Sequence, residues 1–328
     1  MNIYNNLLKH ISITNFSMYQ INEYNEKMTK SHVSEDKCTM GNSVLIQAVR
    51  RDRKITFRAP EWAEKVSVKK LKSYNLKFVP IENFWYIELG GNLDTIKDAE
   101  KINERLISLC LGVWDTIKNS GEFDADYYDL DFLGFLGAKR ESRRMVGDYV
   151  MNGNDLINKT KFPDEIAYGG WNMDGHYPEG FDGNVPNVYV HCTTYGIPFR
   201  CLYSKNINNL MFAGRNISLT HLAMSSARVM GTCGCLGAAA GTAAYILKKY
   251  NISPREIISK NKISELQQTL LMNDYYLPNI KRNVSSINSE IKGYEILRNG
   301  YDRNIETVNS FNQHGCTWNC NRRPGFGI

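Results

Sequence analysis

The run from Asn209 to Tyr250, NLMFAGRNISLTHLAMSSARVMGTCGCLGAAAGTAAYILKKY, restricts the fold more than any other part of the chain. A short apolar stretch, Leu210 to Ala213, breaks at Gly214-Arg215-Asn216 and gives way to a long segment with a small residue at nearly every helical turn. The pattern predicts a strand, a tight turn and a buried helix. Gly231, Gly234, Gly237, Gly241 and Ala244 recur three or four apart, so on a helix they form one stripe almost free of side chains. Each interior glycine costs a helix roughly 1 kcal/mol against alanine. The stripe therefore predicts a backbone or a flat ligand lying unusually close to the helix. A strand that ends in glycine before a helix also presents free N–H groups and the positive end of the helix dipole, which suits an anion or an electron-rich ring edge.

Two plainer readings share this spacing. Val229 to Leu247 carries no charge, and Gly237 with Gly241 makes a small-xxx-small pair, so a membrane span of about 20 residues fits by length. Composition argues against it, because the segment is filled with Gly, Ala, Thr and Cys and the rest of the chain is polar. A plain core helix packed on a sheet fits the spacing equally well.

The 328 residues have room for one large or two ordinary domains, and 42% hydrophobic with 23% charged residues predicts a folded chain. The net charge of +6 is spread without a basic block, and no zinc-finger or helix-turn-helix spacing occurs, so nucleic acid is not an expected partner. Eight cysteines include no C-x-x-C pair, which leaves no zinc ribbon, no cubane cluster motif and no expected metal. Reduced thiols in the cytoplasm are the expectation, and MNIYNNLLKHISITNF lacks the apolar core of a signal peptide.

Before the glycine stripe, Ser43–Val49, Lys54–Phe57, Phe84–Leu89 and Val188–Thr193 read as strands. Asp94 to Lys118 reads as a helix with Ile96, Ala99, Ile102, Leu106, Leu109 and Val113 on one face, ending at Asn119-Ser120-Gly121. Ser253-Pro254-Arg255-Glu256 is a helix start, with an amphipathic helix expected over Ile257–Met272. The block Lys139-Arg140-Glu141-Ser142-Arg143-Arg144 reads first as a solvated ion-pair network. As a strand it would turn Arg140, Ser142 and Arg144 to one face, where guanidinium groups could meet a carboxylate.

An ordered set of residues carries a resemblance. It comprises Asn209 to Arg215, Ser218, Thr220-His221, Ser226, Arg228-Val229-Met230, Thr232-Cys233, Leu236-Gly237 and Gly241 to Ala244. Upstream it continues through Thr39 to Ser43, Ala59 to Ala63, Trp85, Glu88 to Gly91, the KRESRR block and Tyr195-Gly196-Ile197-Pro198-Phe199-Arg200. These stretches resemble the later part of the FAD-dependent oxidoreductase family, distantly similar to the flavoprotein subunits of fumarate reductase and succinate dehydrogenase. The resemblance implies an α/β (mixed α+β) chain: a partial FAD/NAD(P)-binding-type fold with a substrate-domain sheet and a long buried Gly/Ala-rich helix. It implies FAD as cofactor, with Gly214, Arg215, Asn216, Ser218, Arg228, Thr232 and Gly234 contacting it. Arg140, Arg144 and Arg200 are the expected substrate-binding residues, and His221, Tyr195 and Arg143 the expected catalytic ones. His221, at the head of the helix, would give or take a proton. His191 reads as a structural histidine.

The family opens with G-x-G-x-x-G, yet the one G-x-G in this chain is Gly325-Phe326-Gly327. The expectation is a chain lacking the ADP-binding half, which acts on a small-molecule substrate; either a second chain supplies the missing half or the chain is a truncated gene product, a fragment. Other readings are a non-catalytic binding protein on a degenerate flavoprotein scaffold, or the flavin subunit of an iron–sulfur electron-transfer assembly. The expected divisions are a poorly defined segment 1–38, a substrate-type domain 39–208, a cofactor-closing segment 209–283 and the start of an appended or truncated module 284–328.

Overall fold

The computed structural model describes residues 39–74, 87–183 and 188–283. The expected segments 1–38 and 284–328, Phe84 to Tyr86 of one expected strand, and Cys38, Cys316 and Cys320 lie outside the described residues. The described chain forms two compact units interleaved in sequence, 39–142 with 176–183 and 143–175 with 188–283.

In the first unit the elements follow as β1 (Asn42–Ser43), β2 (Ile46–Arg50), α1 (Val68–Ser73), β3 (Glu88–Leu89), α2 (Ala99–Asn119) and β4 (Tyr128–Leu133). β1 pairs antiparallel with β3, and β2 with β4 across a register shift between Gln47 and Ala48. Lys54 to Phe57, expected as a strand, joins no ladder; Ile55 N–H instead donates to the Asp126 carbonyl. α2 begins five residues later than the apolar period suggests. The Asp94 carboxylate accepts the N–H groups of Ile96 and Lys97, which closes a turn there and leaves Ile96 exposed. Ile102, Leu106, Leu109 and Val113 are buried with Val44, Ile46, Leu89 and Trp114, so the predicted face is the core face. Gly112 permits the contact, since a Cβ there would stand 1.6 Å from the Glu64 carbonyl oxygen. At the far end of α2, Lys118 Nζ is buried and donates to the carbonyls of Ala125, Asp126 and Tyr128.

The second unit begins with α3 (Gly153–Asn158), closed by a capping box of Asn152 and Asp155. Next come β5 (Glu165–Gly169), β6 (Met173–Gly175), β7 (Val188–Val190) and β8 (Tyr195–Pro198). β5 pairs antiparallel with β8, and β6 with β7. Leu210 to Ala213, expected as a strand, makes only a bridge between Tyr203 and Met211, with Phe212 N–H donating to the Leu202 carbonyl and Ser204 N–H to the Leu210 carbonyl.

The long helix is two helices. α4 (His221–Ala227) is capped by the Thr220 hydroxyl, and α5 (Met230–Tyr250) restarts after Val229, whose backbone is extended at φ −69° and ψ 149°. The expected helix Ile257–Met272 likewise divides into α6 (Glu256–Ser259) and α7 (Ile263–Met272), with Asn261 between them at φ 55°. The expected start survives as a bond from Ser253 N–H to the Glu256 carboxylate. The described architecture is α+β, helices with small antiparallel two-stranded sheets.

Candidate functional site

α5 packs across β5 and against α7 through Thr232, Leu236, Ala239, Ala243 and Ile246. Its other face is bare. Gly231, Gly234, Gly237 and Gly241 each have nothing within 4 Å of an added Cβ, Met230 is 90% exposed, and only 28% of the most apolar stretch of α5 is buried. By length and composition alone α5 would suffice to cross a bilayer. The expectation of a buried helix whose glycine stripe lies close against something is not met among the described residues: Ala and Leu face the protein, and the glycines face open space.

The turn before α4 is open as well. Gly214 has φ 90°, a conformation that favours glycine, and also has open space around it. Arg215 is exposed, and its positive charge reaches Cys233 in the second turn of α5, where it partly offsets the burial that pushes the Cys233 thiol up. Asn216 is half-buried and accepts Met145 N–H at its carbonyl. Arg215 therefore lies near the head of α5, where Gly234 looks outward and Thr232 is buried on the packed face.

The remaining expected residues lie in several places. Ser218 is fully buried with its Cβ facing Gly147, and its hydroxyl has no hydrogen-bond partner among the described residues. His221 is buried at the first position of α4. Tyr195 is buried, and its hydroxyl lies 2.6 Å from the Ser226 hydroxyl. Ser226 gives its own proton to the Trp171 carbonyl, so Tyr195 is the donor in this chain. Burial pushes the Tyr195 hydroxyl well above the ordinary tyrosine range, and the Ser226 bond opposes this. The hydroxyls of Thr193 and Thr194, just before it, are buried without partners among the described residues.

Arg228 closes α4 by donating to the Ser225 carbonyl and to Asp174 of β6 at 3.0 Å. Arg200 forms a two-pronged pair with the buried Asp164, at 2.9 and 3.0 Å, and its guanidinium carbon lies 5.1 Å from the Tyr149 ring centre. The KRESRR block is not a strand. Glu141 and Arg144 are buried and Arg143 is half-buried, in place of simple alternation.

Arg140 sits in the first unit, in a buried network that sequence reasoning did not anticipate. The Glu88 carboxylate accepts Gly41 N–H at 2.8 Å and lies 2.5 Å from His176 Nδ1 and 3.2 Å from Arg140. Arg140 also donates to the Gly41 carbonyl and the Ser43 hydroxyl. A buried glutamate has no local sequence signal; its partners are 47, 52 and 88 positions away. Among the described residues no group of His, Cys, Asp and Glu could hold a metal ion.

No curated protein and no solved structure matches the chain. The model of the FAD dependent oxidoreductase family matches residues 14–270, starting ahead of the Thr39 motif and taking in the Gly214 turn, α4 and α5. The bare glycine face fits a flat ring system lying directly on backbone, as that cofactor requires. With a match over well more than half its length, the chain belongs to the FAD-dependent oxidoreductase family, with FAD as its cofactor.

Proposed function

We propose that Gly214, Arg215, Asn216 and the first turns of α5, with Gly234 on the open face and Thr232 behind it on the packed face, seat the isoalloxazine of FAD, and that a small-molecule substrate exchanges a hydride with it there. The observation that carries this reading is the open space at Gly214 and at each α5 glycine, with the charge of Arg215 reaching Cys233 at the head of α5. When bound, FAD supplies the hydride acceptor or donor. Arg215 and the uncapped N–H groups at the head of α5 bring positive potential to the ring edge on which negative charge develops. Arg228, locked by Asp174, fixes the junction between α4 and α5 and so the direction of those N–H groups.

His221 is assigned the proton-holding role, its position set by the Thr220 cap. Tyr195 serves through the Ser226 and Trp171 chain, which orients the wall of the site. Arg143 and Arg144, both in the second unit, are the guanidinium groups assigned to a substrate carboxylate. Arg200 acts through Asp164 as a brace, and Ser218 supports the turn from beneath. Arg140, held by Glu88 in the first unit, is given no substrate role here. In the same proposal a second chain supplies the half that grips the ADP moiety.

The test is an absorbance spectrum of the full chain after gel filtration, with and without added FAD. Retained flavin bands show that the site is complete in this chain or its oligomer and refute the need for a second chain. Loss of all added flavin, together with recovery when a separate nucleotide-binding chain is supplied, is the expected result. Failure to retain flavin under either condition would sink the assignment of the α5 face.

A further inference from the structure

Glu165 opens β5 and is fully buried. Its two carboxylate oxygens accept the backbone N–H of Asn279 at 3.0 Å and the side-chain amide of Asn279 at 2.7 Å. These donors belong to the segment 275–283, which leaves α7 and folds back over the unit. Tyr275 N–H caps α7 at the Leu270 carbonyl, Tyr276 meets the Tyr168 ring edge-on at 5.3 Å, and Leu277 is buried. Gln268 of α7 grips the end of the segment, donating to the Lys281 carbonyl and accepting Asn283 N–H. Gly196 of β8 leaves the room that Glu165 occupies, since a Cβ there would stand 2.0 Å from the carboxylate.

Among the described residues, what surrounds the carboxylate is neutral. The strap contributes Tyr276 and Asn279, and its charged residues Lys281 and Arg282 are exposed. From α7 comes Gln267, whose amide donates to the Pro163 and Glu165 carbonyls. The adjacent Asp164 is committed to Arg200, β8 offers Gly196, and α5 crosses β5 with a run that is uncharged from Val229 to Leu247. Burial therefore pushes the Glu165 carboxyl above the ordinary glutamate range, and the two Asn279 bonds oppose this only in part.

We propose that Glu165 and Asn279 form a pH-sensitive latch: the strap 275–283 is closed over β5 and β8 while the Glu165 carboxyl is protonated, and opens when the carboxyl ionises and reaches water. The sign follows from the direction of the shift. A carboxyl harder to ionise in the closed form than in the open one makes opening easier as pH rises from the ordinary glutamate value to the closed-state value. Beyond that value the effect levels off. The latch bears directly on the strand that carries Tyr195, which adjoins Gly196. It depends on no cofactor, so its failure and failure of the flavin assignment are separate results.

The experiment is hydrogen exchange of the strap amides in the full chain over about pH 4 to 8, corrected for intrinsic exchange and compared with amides of α2. In the wild type the strap opening constant is expected to rise about tenfold per pH unit from about pH 4.3 and then plateau, with α2 unaffected. Glu165→Gln, neutral at every pH, is expected to remove the rise; Asn279→Ala is expected to expose the strap throughout. A flat wild-type profile, a rise shared equally by α2, or a Glu165→Gln profile that tracks the wild type overturns the latch. Should Glu165→Gln fail to fold, the wild-type contrast between strap and α2 still decides.

Discussion

Replacing Gly234, Gly237 and Gly241 together by alanine separates what the glycines cost α5 from what they provide. None of the three would have a neighbour within 4 Å of the new methyl, and all lie inside a regular helix. Each substitution then gains the propensity difference of about 1 kcal/mol with no clash to oppose it, about 3 kcal/mol in all. On the scale of a domain of this size, 1 kcal/mol corresponds to roughly 2–4 °C, so the triple variant should melt about 6–12 °C higher. The same methyl groups stand on the face assigned to the flat ring, so flavin retention should fall in the variant that is more stable. Circular dichroism melting gives the first quantity and flavin absorbance after gel filtration, under conditions where the wild type retains flavin, gives the second. Unchanged or lowered stability would mean that the glycine face is covered in solution. Higher stability with undiminished flavin retention would place the ring elsewhere.

Other substitutions probe single contacts. Lys118→Met should destabilise the first unit by about 2–3 kcal/mol, because three carbonyls lose one buried donor, and urea unfolding would show it; a change under about 0.5 kcal/mol would contradict that count. Arg200→Met should cost about 2 kcal/mol by leaving the buried Asp164 with backbone donors alone, and a stability unchanged from wild type would return Arg200 to a surface role. Burial raises the hydroxyl pKa of Tyr149, Tyr195 and Tyr203 above the ordinary value of about 10. Their contribution is therefore intact below about pH 10 and lost as pH rises further, so stability should drop above that point and Tyr195→Phe should flatten the drop. An alkaline limb unchanged in Tyr195→Phe would show that this hydroxyl does not ionise on unfolding.

The core face of α2 was legible because an amphipathic period is a local property: Ile102, Leu106, Leu109 and Val113 mark it and the core takes them. The glycine stripe of α5 was equally legible as a stripe, but its direction was not, since small residues carry no preference for inside or outside. The break at Arg228 and Val229 has no local signal because neither is a glycine or a proline; Val229 is the extended residue, while Arg228 keeps helical backbone and its side chain pairs with Asp174, 54 positions away. The same distance effect hid Glu88, His176, Asp164 and Glu165. Buried charges are decided by partners far along the chain, whereas Gly214 announced its positive φ through the residue type itself.

The interleaving of the two units also sets an order of events as the chain is made. Glu88 and its partners Gly41 and Arg140 are synthesised in one stretch, but His176 comes 88 residues after Glu88. At about 5–20 residues per second, the Glu88 carboxylate waits roughly 4–18 s for its imidazole partner. During that wait the chain must emit residues 143–175, which belong to the other unit. The nascent first unit therefore cannot finish folding before the opening part of the second has been made, although most of the second, 188–283, is still to come. A ribosome that stalls between Ser142 and His176 leaves a unit with a half-satisfied charge at its centre.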